Sequence, residues 1–181
     1  NYGQKKYPEN PIKYLERLKI NTIWRFIVSH PDMDHLDGIR DFFSDLKVYN
    51  VWDTANTKEI EDFSNYGRFN EYDWKFYKKL REEKLGHNYF KLYADKNNPG
   101  NYWTEDNFKI LCPTKKLVEN ANKTDDYNDA SYVILFTPPI EGTKKKWKIL
   151  FCGDSDDASW DYILENFKDD VTDIDVLFAP H

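Results

Sequence analysis

Residues 22–29 (TIWRFIVS) form a β-branched and aromatic run, the pattern of a buried strand. Upstream, Ile12, Leu15 and Leu18 recur at helical spacing and predict a helix reaching about residue 20. Asn10 suits its N-cap and Pro11 its first position. Downstream, Leu36, Ile39 and Phe43 share one helical face over residues 36–44, and residues 47–52 read as a second strand. Residues 53–105 are irregular apart from a helix over 72–85, with Phe76, Leu80 and Leu85 among its apolar positions, and a turn at Asn97-Asn98-Pro99-Gly100. A short strand at 108–112 and a short helix at 115–121 follow. Strands at 131–137 and 146–152 then flank a hairpin loop at 138–145. The chain closes with a helix at 159–167 and a strand at 174–178. Alternating strands and helices around an antiparallel hairpin predict an α+β fold, a mixed sheet with helices outside it.

Composition narrows this little. A chain of 181 residues suits one domain with a real core. Hydrophobic residues at 40% against 32% charged exclude a disordered chain. The many aromatics (6 Trp, 13 Tyr, 12 Phe) fill a core or serve as stacking platforms for bases or sugars. A net charge of −6 argues against a basic nucleic-acid coat. It leaves a nuclease open, because bound divalent cations offset acidity where a phosphate must sit. Cys112 and Cys152 lie in separate apolar runs, so no disulfide framework is expected and buried inert thiols are. That suits a reducing, cytoplasmic setting. No run approaches the ~20 apolar residues of a membrane span, and signal or membrane segments outside this chain stay open.

The chemistry concentrates in His30-Pro31-Asp32-Met33-Asp34-His35, directly after the first strand. In an extended segment His30, Asp32 and Asp34 share one side, since side chains alternate at period two. His35 follows at the start of a helix and can swing inward. An imidazole with several carboxylates suits Zn, Mn or Fe; the same residues also suit an acidic surface turn with two solvated histidines. Gly153-Asp154 follows an apolar strand, where an aspartate either points out at the sheet rim or caps the next helix. His181 ends the segment after the last strand.

His-x-Asp-x-Asp-His-x-x-Gly after an apolar strand resembles the signature of the metallo-β-lactamase superfamily. More narrowly it resembles the hydrolase domain attached to ComEC-type DNA-uptake channels, which carries an aspartate where the superfamily pattern has histidine, as Asp32 does here. Four further segments follow in the same order: Ile110-Leu111-Cys112-Pro113 with Leu117, Asn128 to Leu135, Ile149 to Asp154, and Asp175 to His181. The resemblance implies a four-layer α/β/β/α sandwich in which residues 1–181 form one hydrolase domain, with 53–105 a variable insert. The family's outer strands have no counterpart here, so the chain reads as the middle of that domain. The resemblance further implies two divalent metal ions, Zn or Mn. His30 and Asp32 would bind the first, Asp34 and His35 the second, with Asp154 bridging and His181 completing the second site. The histidine of the family's middle motif is missing; Asn128 or Asp129 falls nearest its place. His87 matches no motif and reads as a surface residue of the insert.

On that footing the expected activity is hydrolysis of phosphodiester bonds in nucleic acid through a metal-bound hydroxide, with Asp34 or Asp154 orienting water or taking its proton. A hydrolase of small esters, lactones or amides fits the same residues, as does a non-catalytic binding module that keeps part of the site. The insert is expected to cover one side of the site's mouth, or to pack away from it. Oligomeric state has no signature in the sequence.

Overall fold

Strands β1 (Thr22–Ile27), β2 (Lys47–Asp53) and β3 (Asn88–Lys91) form a parallel sheet in that order in the computed structural model, which describes residues 9–95 and 102–180. Parallel neighbours need crossovers. Helices α2 (Met33–Leu36) and α3 (Ile39–Asp45) make the first, and α4 (Glu71–Arg81) the second. A second sheet holds β4 (Phe108–Cys112), β5 (Val133–Phe136), β6 (Ile149–Phe151) and β7 (Val176–Phe178). Its first three strands are antiparallel; β7 joins β6 in parallel after the crossover helix α7 (Asp157–Asn166). Helices α1 (Pro11–Arg17), α5 (Tyr102–Glu105) and α6 (Lys115–Thr124) complete the mixed α and β architecture. No helix among the described residues is long and apolar enough to cross a membrane.

Both faces of the first sheet are loaded. Val48 and Val51 pack with Met33, Leu36 and Ile39 and with Trp74, Tyr77 and Leu80 of α4. Trp52 and its register partner Ile27 instead join Leu111, Ile134, Leu150 and Ile163. One apolar cluster therefore ties the two sheets to each other and to α7, each fully buried large side chain contributing about 1.5–3 kcal/mol.

Several expected elements are redrawn. The helix expected at 36–44 breaks at Gly38, whose φ of +82° reverses the chain. Asp73 of α4 explains the restart, because its carboxylate accepts from Gly38 N at 3.1 Å and Arg40 N at 3.0 Å and so caps α3 from outside. The segment 53–105 is irregular over residues 54–70, as expected, but not throughout its described residues. It supplies α4 and also β3, a strand too short and too exposed to show alternation. The helix expected at 72–85 ends at Arg81, and Glu83 turns with φ +59°. The strand expected at 146–152 narrows to Ile149–Phe151, its hairpin continuing only as a Pro139–Lys146 bridge. The apolar stripe of α1 buries no residue. His87 is half-buried against Phe43, its Nδ1 3.1 Å from the Val48 carbonyl. Both cysteines are free and buried, and burial pushes their thiols up, to about 12 for Cys112 and about 11 for Cys152. The turn expected at 97–100 lies outside the described residues.

At the carboxyl end of β2, Asp53 is fully buried. Its oxygens accept from Tyr77 Oη at 2.6 Å, Tyr89 Oη at 2.5 Å and Thr54 N at 2.6 Å. Burial outweighs these bonds and pushes the carboxyl up to about 6. The folded state then holds a proton that the unfolded chain releases between roughly pH 4 and 6. The Asp53 contribution is present below that window and is lost as pH rises through it, by about 3 kcal/mol. Urea unfolding of wild type and Asp53→Asn at about pH 4 and pH 7.5 measures this. The variant is expected to lose that downward step, and identical pH slopes in the two proteins would show that Asp53 does not carry it.

Candidate metal centre

Three chain segments meet at the carboxyl ends of β1 and β6. Val28 still donates to Trp52 O at 3.0 Å, after which Ser29 and His30 leave the sheet. Asp32 then stands at the N-cap of α2, and His35 lies in its last turn. From the second sheet, β6 runs into Cys152, Gly153 and Asp154. The third segment, leading into β5, binds the other two: Tyr132 N donates to Ser29 O at 2.9 Å, and Ser131 Oγ accepts from Asp154 N at 3.3 Å. Gly153 sits between them with φ +54°. A Cβ there would stand 3.1 Å from the Cβ atoms of both Ser29 and Ser131, a tight approach on a left-handed backbone that favours glycine.

This convergence gathers His30, His35 and Asp154 into a group able to hold a metal ion. His30 Nε2 lies 3.8 Å from Asp154 Oδ2, and His35 Nε2 3.1 Å from Asp154 Oδ1. The two rings are 4.2 Å apart between centroids. Asp32 Oδ2 is 4.0 Å from His30 Nε2, and Asp34 Oδ2 3.7 Å from His35 Nε2. Donors about 3.4 Å apart are what a tetrahedral ion with ligands near 2.1 Å demands, and these spacings bracket that value.

The state of His30 makes the fit specific. The residue is fully buried, and its Nε2 has no hydrogen-bond partner among the described residues. Burial, reinforced by the neighbouring His35, holds this imidazole below the ordinary histidine range against the smaller pull of Asp32, Asp154 and Asp34. Burial therefore favours the neutral form, which presents a lone pair. Buried polar atoms are almost always satisfied, and a cation is one partner that an imidazole nitrogen among carboxylates can take. Ser29 Oγ lies 3.2 Å from Nδ1 of both His30 and His35. Accepting a hydrogen bond from each Nδ1–H would leave both Nε2 atoms free to ligate, the usual outer-shell arrangement of metal-bound histidine.

Three of the expected ligands, His30, His35 and Asp154, thus come together, while Asp32 and Asp34 each stand beside one histidine, outside that group. Asn128 and Asp129 lie in the short 3-10 turn Asn128–Ala130. The Asp129 carboxylate accepts from Ser159 N in the first turn of α7 at 3.2 Å, and burial raises its pKa; it serves the helix rather than the cluster. His181 lies outside the described residues. Ser29, adjacent to the motif, and Lys58, whose Nζ lies 2.5 Å from Asp32 Oδ1, were not singled out from sequence. An exposed-looking serine and a lysine in an irregular stretch carry no signal of their own. Beside His35 and Asp154 a cleft of about 500 Å³ opens, walled by Ile27, Phe108, Ile134, Phe151 and Phe178.

No family model, curated protein or solved structure matches this chain. What the site can do follows from its own atoms.

Gly153→Ala is expected to cost about 1–3 kcal/mol through its left-handed backbone alone, more if Ser29 and Ser131 cannot yield. Chemical denaturation measures it, and unchanged stability would show that the seam is loose. Ser29→Ala should leave the fold intact and weaken divalent-metal binding about 10- to 100-fold. Competition against a fluorescent chelator reads this out. Equal affinity would mean that packing alone orients the two rings.

Proposed function

We propose that this chain is a metal-dependent hydrolase of phosphodiester bonds, acting on nucleic acid, with a centre for two divalent ions of the Mn or Zn kind. The observation that carries the reading is the buried, unpartnered His30 Nε2 aimed with His35 at opposite oxygens of one carboxylate, Asp154. His30 with Asp32 would hold one ion and His35 with Asp34 the other, Asp154 serving both. Bound there, the ions would supply activated water and neutralise charge developing on a phosphoryl group. The chain's own contribution is arrangement. Ser29 sets the rings, Gly153 allows Asp154 to reach them, and Asp34, half-exposed beside His35, can orient a water or accept its proton. Three aspartates against two described histidines make the donor set rich in hard oxygen, which favours Mn and Mg relative to a histidine-dominated site. The layering of α3 and α4 on one sheet, and of that sheet against the second beside α7, supports the four-layer α/β/β/α arrangement of the metallo-β-lactamase superfamily, and the ordered motifs support its ComEC-like branch.

A second reading has its own support. The cleft beside His35 and Asp154 is walled by apolar and aromatic side chains, among them the stacked Phe151–Phe178 pair at 4.6 Å. Such a wall suits a small apolar ester as well as a nucleobase.

Protein stripped with chelator and reloaded with Mn, Mg, Zn or Co, then offered single-stranded DNA and a chromogenic ester, separates the two. Mn-stimulated strand cleavage is expected, with Asp154→Ala losing more than about 100-fold, because a direct ligand should cost more than the outer-shell partners that already cost that much. Zinc-dependent ester turnover without strand cleavage by any metal would establish the second reading instead.

A further inference from the structure

Asp32 stands at the N-cap of α2, yet its side chain makes no cap hydrogen bond. An aspartate in this place ordinarily accepts from the backbone N–H groups of the first helical turn. Here Oδ1 faces Lys58 Nζ at 2.5 Å, while Oδ2 is turned toward His30 Nε2 at 4.0 Å. The helix therefore does not orient this carboxylate, and the segment after β2 does.

That segment is held from two sides. Arg81, the last residue of α4, donates to the Lys58 carbonyl at 2.8 Å and to Asn56 Oδ1 at 3.0 Å, and pairs with Glu59 at 2.6 Å. Asn122 of α6 accepts from Thr57 N at 2.8 Å and donates to Ala55 O at 3.1 Å. The Lys58 side chain is 16% exposed, and its ammonium lies 5.1 Å from the Tyr127 ring centroid. A loop held by these bonds thus delivers one ammonium to one oxygen of the carboxylate.

We propose that Lys58 is a positioning residue of the metal centre: by holding Asp32 Oδ1 it leaves Oδ2 presented, beside His30, to a divalent cation. This rests on the metal reading above. It assigns residues 53–59 to the construction of the ion site, not only to the rim where substrate enters. The opposite expectation is equally definite. Were Lys58 merely a nearby charge, its ammonium would repel a dication, and removing it would tighten metal binding. The two roles therefore predict shifts of opposite sign.

Chelator-stripped wild type, K58M and K58R are titrated with Mn2+ by calorimetry, with bound metal counted by elemental analysis. K58M is expected to bind about 10- to 100-fold more weakly or to lose one metal equivalent. K58R, which can reach the same oxygen with a charge, should recover most of the loss. The metal-free melting temperature should barely move, since a partly exposed ion pair contributes little to folding. If K58M does not fold, K58Q is read in the same way. K58M binding as tightly as wild type or more tightly, or K58R as weak as K58M, overturns the positioning role and leaves the metal reading standing. Wild type that takes up no metal overturns both.

Discussion

Gly153 is the point at which the two sheets close upon each other. The first sheet delivers Ser29 and His30 at the end of β1, and the second delivers Asp154 at the end of β6. Nothing in either sheet alone brings these side chains within reach. The missing Cβ of Gly153, with Ser29 and Ser131 each 3.1 Å from where it would stand, lets the backbone of one sheet lie against the exit of the other. The Tyr132–Ser29 backbone bond and the Asp154–Ser131 bond fasten the seam on either side. The distances from Asp154 to both histidines depend on this contact, because Asp154 comes from the second sheet and the histidines follow the first.

Two buried polar groups lie at the carboxyl ends of adjacent strands, and they differ in one respect that separates structure from function. Asp53, after β2, is enclosed by donors from Tyr77, Tyr89 and Thr54, and the network runs on through Asn56 to Arg81. A buried carboxylate so supplied is part of the scaffold. His30, after β1, is buried to the same degree, but its Nε2 meets no donor or acceptor at bonding distance among the described residues. The scaffold carries a cost there that a bound cation would offset. Arg81 links the two places, since the same guanidinium that completes the Asp53 network also holds the loop carrying Lys58 to Asp32.

Much of this was readable along the chain. The strands at 22–27, 47–53 and 108–112 show as apolar or β-branched runs because most of their apolar side chains pack into the two clusters. The antiparallel pairing of β5 with β6 follows from two such runs around a polar loop. The local ligand cluster was also visible, because His30, Asp32, Asp34 and His35 are neighbours in sequence, but the extended run expected to align His30, Asp32 and Asp34 stops at Asp32, and Asp34 lies with His35 inside α2. What escaped was non-local. β3 is four residues long, mostly exposed despite Tyr89 and Phe90, and takes its hydrogen bonds from the edge of β2. The break at Gly38 is set by Asp73, 35 residues away.

The sequence by itself determined which residue types could form a metal site, and that they would emerge where apolar strands end. It did so because backbone periodicity and strand propensity act over a few residues. Only the tertiary structure decided which of them meet. Asp154 reaches His30 and His35 through the glycine seam between sheets, while Asp129 is drawn away to the first turn of α7 by Ser159. Lys58 became part of the site only because α4 and α6 clamp its loop over Asp32. Such pairings depend on close approach between segments distant in the chain, and one-dimensional order carries no record of that distance.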